Sequence, residues 1–264
     1  SLAGASDEGQ AAADQVSEAS YRSILGDNLG QAGILYAHDG YDRRYSSYHN
    51  LARANIVAKL QSYGLTVTQE SFVYSSTTYY NVVATKTGTV HPLQEYIVGA
   101  HFDSVACPGA DDNGSGTALV IEAARILSQY PSDYTIRFIA FDREEQGLLG
   151  SDAYATAHAT DDILGMISAD MVSYDSGGDL ALIYGYPASN PIKNALASAI
   201  TQYGGGLTYI INIQMDQSDH APFEWQGFEA CLLIEDWGTN PYYHKITDSV
   251  DTPGYINYPY AVKM

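Results

Sequence analysis

The chain has 264 residues, 45% of them hydrophobic, so it can bury the core of one large or two small domains and is not mainly disordered. The 12 Lys and Arg against 31 Asp and Glu give a formal net charge of −19, which disfavours nucleic-acid partners because such a surface repels phosphate backbones. No apolar run approaches the roughly 20 residues of a membrane-spanning helix, so we expect no membrane insertion.

The cysteine content and the start of the chain bear on its compartment. Cys107 and Cys231 are too few for a disulfide scaffold or a cysteine-rich zinc fold, and whether they pair stays open here. The chain begins at Ser1 without a basic and then apolar leader, as a processed or a trimmed chain does. Low lysine content and 23 tyrosines favour a secreted protein, extracellular or periplasmic. We expect it to act as a monomer.

The first third of the chain predicts two helices and then strands. Apolar periodicity predicts a helix over residues 11–25 and an amphipathic helix over 49–63, which ends at Gly64. The alternating, β-branched segments 65–73 and 79–87 predict strands, and the short apolar run 96–100 is typical of a buried strand.

The remaining elements alternate between helix and strand. We expect helices over 115–129, 151–159 and 192–203 and beyond 255, and strands over 135–141, 164–170, 180–184 and 231–234. This alternation predicts an α/β layer fold with a largely parallel central sheet. Because no linker-like segment divides the chain, we expect a single domain over residues 1–264.

Histidines and acids follow the predicted strands, at the point where each strand ends. In open α/β sheets ligands bind just beyond the carboxyl ends of the strands, so we expect these side chains to lie close together. They are His101 and Asp103 in A-H-F-D-S, Asp111 and Asp112 in A-D-D-N-G-S-G, Glu144 and Glu145 in D-R-E-E, Asp170, and His244 in P-Y-Y-H.

Two histidines and several carboxylates without a thiol suit zinc or a similar divalent ion. Five ligands, one of them a bridging carboxylate, suit two ions about 3.5–4 Å apart that share a water. A further carboxylate must then take the proton from that water, and the adjacent acids Glu144 and Glu145 can divide the two roles. Asp103, two residues after His101 on the same side of an extended strand, can orient its imidazole.

These motifs, in this order, resemble those of the M28 family of metallo-aminopeptidases. The resemblance runs from Gly99 to about Thr252 and includes G-A-H-F-D-S, G-A-D-D-N-G-S-G, F-D-R-E-E-Q-G-L-L-G-S, the strand end at Asp170, S-D-H-A-P-F and P-Y-Y-H. It implies one globular α/β domain, a mixed sheet sandwiched by helices. It also implies two zinc ions per chain and the release of N-terminal residues from peptides with a free N-terminus.

The resemblance also implies a ligand set. His101 and Asp170 would hold one ion, Glu145 and His244 the other, and Asp111 would bridge them. The neighbouring acid, Asp112, is interpreted as structural, because Asp-Asn-Gly sequences favour turns and helix caps.

Three further residues receive roles from the resemblance. Glu144 would be the general base that activates the bridging water, and Asp103 would steer His101. Tyr243 matches a tyrosine that hydrogen-bonds the tetrahedral intermediate in some members. His220, in S-D-H-A-P-F, is left between a structural role and a role near the site.

Several alternatives stay open on the sequence. Glutaminyl cyclases resemble this site but use one zinc, and a carboxypeptidase needs a cation for the substrate carboxylate, for which Arg143 is the only arginine near a motif. A non-catalytic binding module on a degenerate scaffold would usually lose the base or a ligand. The aromatic run could line an apolar substrate pocket or belong to the core; it comprises Trp225, Phe228, Trp237, Tyr242 and Tyr243.

Overall fold

The computed structural model describes residues 2–264, with side chains from Glu8 onward. The strands are β1 Thr66–Tyr74, β2 Thr77–Lys86, β3 His91–His101, β4 Tyr134–Phe141, β5 Asp162–Ala169, β6 Leu180–Tyr184, β7 Thr208–Ile211 and β8 Ala230–Ile234. The helices are α1 Leu2–Ala13, α2 Glu18–Leu25, α3 Ser47–Ser62, α4 Gly116–Leu127, α5 Leu149–Ala157, α6 Asn190–Tyr203, α7 Ala221–Trp225 and α8 Tyr258–Ala261.

All eight strands form one mixed sheet in the order β1-β2-β4-β3-β5-β8-β6-β7. The four central strands, β4, β3, β5 and β8, are parallel, whereas β2 pairs antiparallel with β4, and β6 antiparallel with β8. In the register His101 lies opposite Phe141, and Ala169 opposite Leu233. The carboxyl ends of the central strands therefore meet at one edge of the sheet, which confirms the predicted α/β fold.

Helices cover both faces of the sheet, and β4 shows how the sequence directs this packing. Phe138 and Ala140 lie in the core cluster beneath α3 and α4, whereas Ile139 and Phe141 lie in the cluster beneath α5 and α7. The period-two alternation of a strand places these neighbours on opposite faces. Because both faces are covered, all five residues of β8 are buried, as parallel strands in α/β proteins require.

Some predicted elements differ from the structure. The helix expected over residues 11–25 is interrupted between α1 and α2, where the Ser17 side chain caps α2 by accepting the Ser20 N–H at 3.3 Å. The short elements β7 and α7 were not predicted. The other predicted helices and strands are confirmed, although the buried strand expected over 96–100 begins five residues earlier, at His91.

Two features that the sequence left open or excluded can now be described. Cys107 and Cys231 are both buried and free, so they do not pair. Of the helices in the described part of the chain, none is long and apolar enough to cross a membrane.

Candidate metal centre

Two groups of potential ligands lie at the carboxyl edge of the sheet. His101, at the end of β3, Asp170, directly after β5, and Glu144, in the turn after β4, form the first group. The His101 Nε2 atom is 3.6 Å from Asp170 Oδ1 and 3.8 Å from Glu144 Oε2. Asp112, Glu145 and His244 form the second group. Within each group one ligand atom per residue lies within 4.8 Å of the others.

Asp112 lies between the two groups. Its Oδ1 is 3.4 Å from His101 Nε2 and its Oδ2 is 3.1 Å from His244 Nε2, while Glu145 Oε2 is 3.2 Å from the same His244 nitrogen. One carboxylate oxygen thus faces each histidine. This is the placement that a bridging ligand needs.

The sequence predicts Asp111 as the bridging ligand and Asp112 as a structural residue, but the structure places Asp112, and not Asp111, between the two groups. Asp111 belongs to neither ligand group, and both of its carboxylate oxygens accept hydrogen bonds from other loops. Oδ1 accepts the Ser173 N–H at 2.9 Å and Oδ2 accepts the Asn240 amide at 2.9 Å. Relative to the prediction, the positions of the two adjacent acids are therefore reversed.

The first group contains buried polar atoms without a partner. His101 Nε2 and Asp170 Oδ1 have no hydrogen-bond partner among the described residues, although both are buried. The other Asp170 oxygen accepts the Ser218 hydroxyl at 2.7 Å. An unsatisfied buried polar group costs about 1–3 kcal/mol, a cost that a metal ion held by the same atoms would remove. The donor set therefore fits a divalent ion.

The charge balance of the centre points the same way. Burial raises the pKa of the Glu145 carboxyl to about 7, with the Asp112 carboxylate adding to the rise. Burial also raises the pKa of Glu144 well above its usual range, and Asp170 contributes. Carboxylates outnumber histidines here, so the site carries excess negative charge that bound cations would balance.

Both histidines respond to this excess of acids. Hydrogen bonds to Asp112 and Glu145 raise the pKa of His244 to about 10. Burial lowers the pKa of His101, but the Glu144 and Asp170 carboxylates outweigh burial and leave that pKa well above its usual value.

Asp103 connects His101 to the turn that carries both glutamates. Its two oxygens accept the Glu144 N–H at 3.1 Å and the Glu145 N–H at 3.3 Å. The His101 Nδ1 atom lies 3.5 Å from Asp103 Oδ1 and 3.2 Å from the Asp103 carbonyl oxygen. These contacts direct the opposite ring nitrogen, Nε2, toward the ligand group.

The pocket beside the ligands has one charged side and one apolar side. Met171, Met215, Ile234 and Trp237 line the apolar side together with Tyr243. The Tyr243 ring stacks on the His244 ring with centroids 3.9 Å apart and packs edge-on to Trp237 at 6.2 Å.

The aromatic run of the sequence is therefore divided between the pocket and other surroundings. Trp237 and Tyr243 line the pocket, whereas Tyr242 packs on Tyr255 at 4.3 Å and Phe228 packs against the core residue Phe223. Trp225 is 53% exposed.

Two predicted candidates lie away from the pocket. His220 is fully buried and belongs to neither ligand group, and burial lowers its pKa to about 4. Arg143 is 2% exposed, with its guanidinium carbon 4.8 Å from the Tyr45 ring centroid and 4.1 Å from that of Tyr79.

Four polar residues around the ligand groups were missed by the sequence reasoning. Asp248 accepts the backbone N–H groups of Asp111 and Asp112, and the Ser218 hydroxyl donates to Asp170. The Asn240 amide donates to Glu235. Two of them had a signal in the sequence: Ser218 begins the S-D-H-A-P-F motif, and Asp248 lies four residues after His244.

With this geometry in place, the family of the chain follows from comparison with known proteins. The model of peptidase family M28 matches residues 81–258, so the chain belongs to this family. It is 37% identical over 174 residues to aminopeptidase YwaD of Bacillus subtilis, which covers 61% of this chain and 37% of that protein. The chain spans 37% of the length of this relative and 63% of that of the probable aminopeptidase YDR415C of Saccharomyces cerevisiae, which is 30% identical.

Solved structures support the fold. BSAP, a zinc aminopeptidase from Bacillus subtilis, superposes with a TM-score of 0.64 at 31% identity, over 71% of this chain and 48% of that one. A glutaminyl cyclase from Macrostomum lignano superposes with a TM-score of 0.76 over 97% of this chain and 88% of that one. At 15% identity the cyclase shows a shared fold alone, so the fold by itself does not separate the two activities.

Proposed function

We propose that this chain is a di-zinc aminopeptidase. The observation that carries the proposal is the pair of ligand groups with Asp112 facing both histidines, an arrangement that leaves Glu144 of the first group available as a base. Membership of family M28 and the names of the relatives, an aminopeptidase and a zinc aminopeptidase, support the same activity. Secretion and a monomeric state stay predictions from the sequence.

The residues divide into two ligand sets with a shared member. His101 and Asp170 would hold one zinc ion, Glu145 and His244 the other, and Asp112 would contact both. When bound, the ions act as Lewis acids that polarise the scissile carbonyl and lower the pKa of a coordinated water.

Glu144 would accept a proton from the attacking water and pass it to the leaving amine. Its position suits this role, because Asp103 fixes the backbone of its turn and its carboxylate lies 3.8 Å from His101 Nε2. The Tyr243 hydroxyl would donate a hydrogen bond to the carbonyl oxygen as the carbon becomes tetrahedral. The acids of the pocket would also receive the free α-amine of the substrate.

The apolar side of the pocket bears on the substrate. Met171, Met215, Ile234 and Trp237 form a wall that can receive the side chain of the N-terminal residue. We therefore expect leucine or methionine at that position to be preferred over aspartate or lysine.

The alternative activities fare differently. A carboxypeptidase needs a cation beside the substrate carboxylate, and Arg143 does not line this pocket but packs between two tyrosines. A glutaminyl cyclase shares the fold and has to be separated by experiment.

The test combines metal content with hydrolysis of Leu-p-nitroanilide and of its N-acetyl derivative, each with and without a chelator. We expect about two zinc ions per chain by elemental analysis, and chelator-sensitive release from the free-amine substrate alone. One ion per chain with cyclisation of an N-terminal glutamine peptide, and no p-nitroaniline, would establish the cyclase instead. No metal and no turnover would leave the non-catalytic binding module.

A further inference from the structure

Asp111, the acid next to the bridging Asp112, connects loops that are distant in sequence. Its Oδ1 accepts the Ser173 N–H at 2.9 Å and the Ser173 hydroxyl at 2.6 Å. Its Oδ2 accepts the Asn240 amide at 2.9 Å and lies 3.5 Å from the Tyr255 hydroxyl. The carboxylate is fully buried, so none of these bonds competes with bulk water.

Each partner belongs to a loop that carries a proposed ligand. Ser173 lies three residues after Asp170, and Asn240 lies four residues before His244. Asp111 itself precedes Asp112. One carboxylate thus joins the three loops that supply a ligand of the first ion, a ligand of the second ion, and the ligand between them.

The backbone at Asp111 is also fixed. The Asp248 carboxylate accepts the Asp111 N–H at 2.7 Å and the Asp112 N–H at 3.2 Å, and the Ser115 hydroxyl donates to the Asp111 carbonyl oxygen at 2.7 Å. With the main chain held on both sides, the Asp111 side chain can set the distance to the Ser173 and Asn240 loops.

Stability alone gives no reason for an acid at this place. Asp111 is fully buried, and the buried acids Glu235 and Asp248 lie in the same hydrogen-bond network. Burying a carboxylate without a cationic partner costs free energy of folding. What the carboxylate offers is two oxygens that both accept, which an amide or a hydroxyl cannot supply.

We propose that Asp111 is a positioning residue that sets the spacing of the three ligand-bearing loops, with Oδ1 serving the Asp170 loop and Oδ2 the His244 loop. This inference rests on the two-ion site of the proposed function. Each oxygen of Asp111 thereby positions the loop that carries a ligand of one of the two ions.

The assignment predicts that one variant loses mainly the first ion and that two others lose mainly the second. Ser173→Ala removes the hydroxyl hydrogen bond to Oδ1 and weakens the binding of the ion that His101 and Asp170 hold. Asn240→Ala removes the hydrogen bond to Oδ2 and weakens the binding of the ion that Glu145 and His244 hold. Asp111→Asn keeps an acceptor for Ser173 but turns an NH₂ group toward the Asn240 NH₂ group, so it behaves like Asn240→Ala. In each variant the affinity for the affected ion falls roughly 10- to 100-fold, the usual effect of changing a residue that orients a metal ligand.

The experiment measures the occupancy of each ion separately. Crystals of each variant are equilibrated in chelator-buffered zinc, and anomalous scattering at the zinc edge gives the two occupancies; chelator competition in solution gives the two dissociation constants. Asp27→Asn is the matched control, because Asp27 is also buried and accepts two backbone N–H groups, at 2.9 and 3.0 Å, with no contact to a ligand loop. Urea unfolding of the metal-free variants measures their stability.

A structural role alone would lower stability in all variants, the control included, and leave the ratio of the two occupancies unchanged. That result overturns the inference, as does an equal loss of both ions in Ser173→Ala and Asn240→Ala. If Asp111→Asn fails to fold, these two variants decide the matter by themselves. If the unmodified chain binds no zinc, the proposed function fails instead, so the two failures are distinguishable.

Discussion

At the scale of single residues, the candidate metal centre contains adjacent residues whose side chains belong to different ligand groups. Glu144 and Glu145 share one short turn, yet Glu144 lies with the His101 group and Glu145 with the His244 group. The turn follows Arg143, whose φ of 63° lies in the left-handed region, and it is held by the two N–H bonds to Asp103. The backbone thereby aims two adjacent carboxylates at different ligand groups.

This division predicts different failures for two matched variants. Glu144→Gln removes the proposed proton acceptor but none of the five proposed zinc ligands, so we expect kcat for Leu-p-nitroanilide to fall about 10²- to 10⁴-fold with zinc content retained. Glu145→Gln removes a proposed ligand of the second zinc ion, so we expect about one zinc per chain to be lost. Elemental analysis and steady-state kinetics on both proteins make the comparison. Loss of zinc in Glu144→Gln to the same extent as in Glu145→Gln would contradict the assignment of the base.

Asp111 and Asp112, whose predicted positions the structure reverses, show what sequence reasoning cannot resolve at this scale. The order of motifs identified His101, Glu145, Asp170 and His244 as candidate ligands, and the structure brings all four to one edge of the sheet. In A-D-D-N, however, both acids have the same charge, size and turn preference. Their roles are separated by loops 60 and more residues away, which donate to Asp111, and no local pattern encodes that contact.

At the scale of elements, long periodic segments were predictable and short ones were not. The strand β7 has four residues, all exposed at the edge of the sheet, so it lacks the alternation of buried and exposed positions by which strands are identified. The helix α7 has five residues with a proline at its start. The interruption between α1 and α2 depends on a Ser17 cap rather than on a change in hydrophobicity.

One contact between elements gives a pH-dependent prediction for stability. His158, at the end of α5, bonds to Asp161 at 2.7 Å and to Glu70 of β1 at 3.0 Å, and its ring stacks on Tyr154 at 4.2 Å. The bond to Glu70 is the main cause that raises the pKa of His158; burial opposes it, and Asp161 adds to the rise. The folded state therefore favours the protonated ring.

Because the folded pKa lies above the unfolded value of about 6.5, the stabilisation is complete below that pH and is lost as the pH rises through the folded pKa. We expect His158→Gln to lower the free energy of unfolding more at pH 5.5 than at pH 9. Urea unfolding of the metal-free proteins at both pH values measures this difference, and comparison with the unmodified chain removes the contribution of other titrating groups. An equal loss at both pH values would show that the ring contributes by packing alone.

At the scale of the whole molecule, the chain carries a formal net charge of −19, and its pocket is itself lined by acidic residues. Two divalent ions would neutralise only part of this charge. The negative potential reaches beyond the pocket at low ionic strength, where the Debye length is about 30 Å at 0.01 M, and shrinks to about 3 Å at 1 M. The part of a peptide that remains outside the pocket should therefore affect its capture through charge.

We expect Leu-Lys-Lys to be cleaved with a higher kcat/KM than Leu-Glu-Glu at 0.01 M salt, by about tenfold, since a field of one sign concentrates ligands of the other. The ratio should fall toward one as salt is raised to 1 M, with the basic peptide slowing and the acidic peptide gaining. Leu-Gln-Gln is the control and should show little dependence on salt. Measuring kcat/KM for all three peptides across this range tests the idea. A ratio that persists at 1 M salt would assign the preference to specific contacts near the pocket, and a ratio of one at every salt concentration would mean that the acidic surface plays no part in substrate capture.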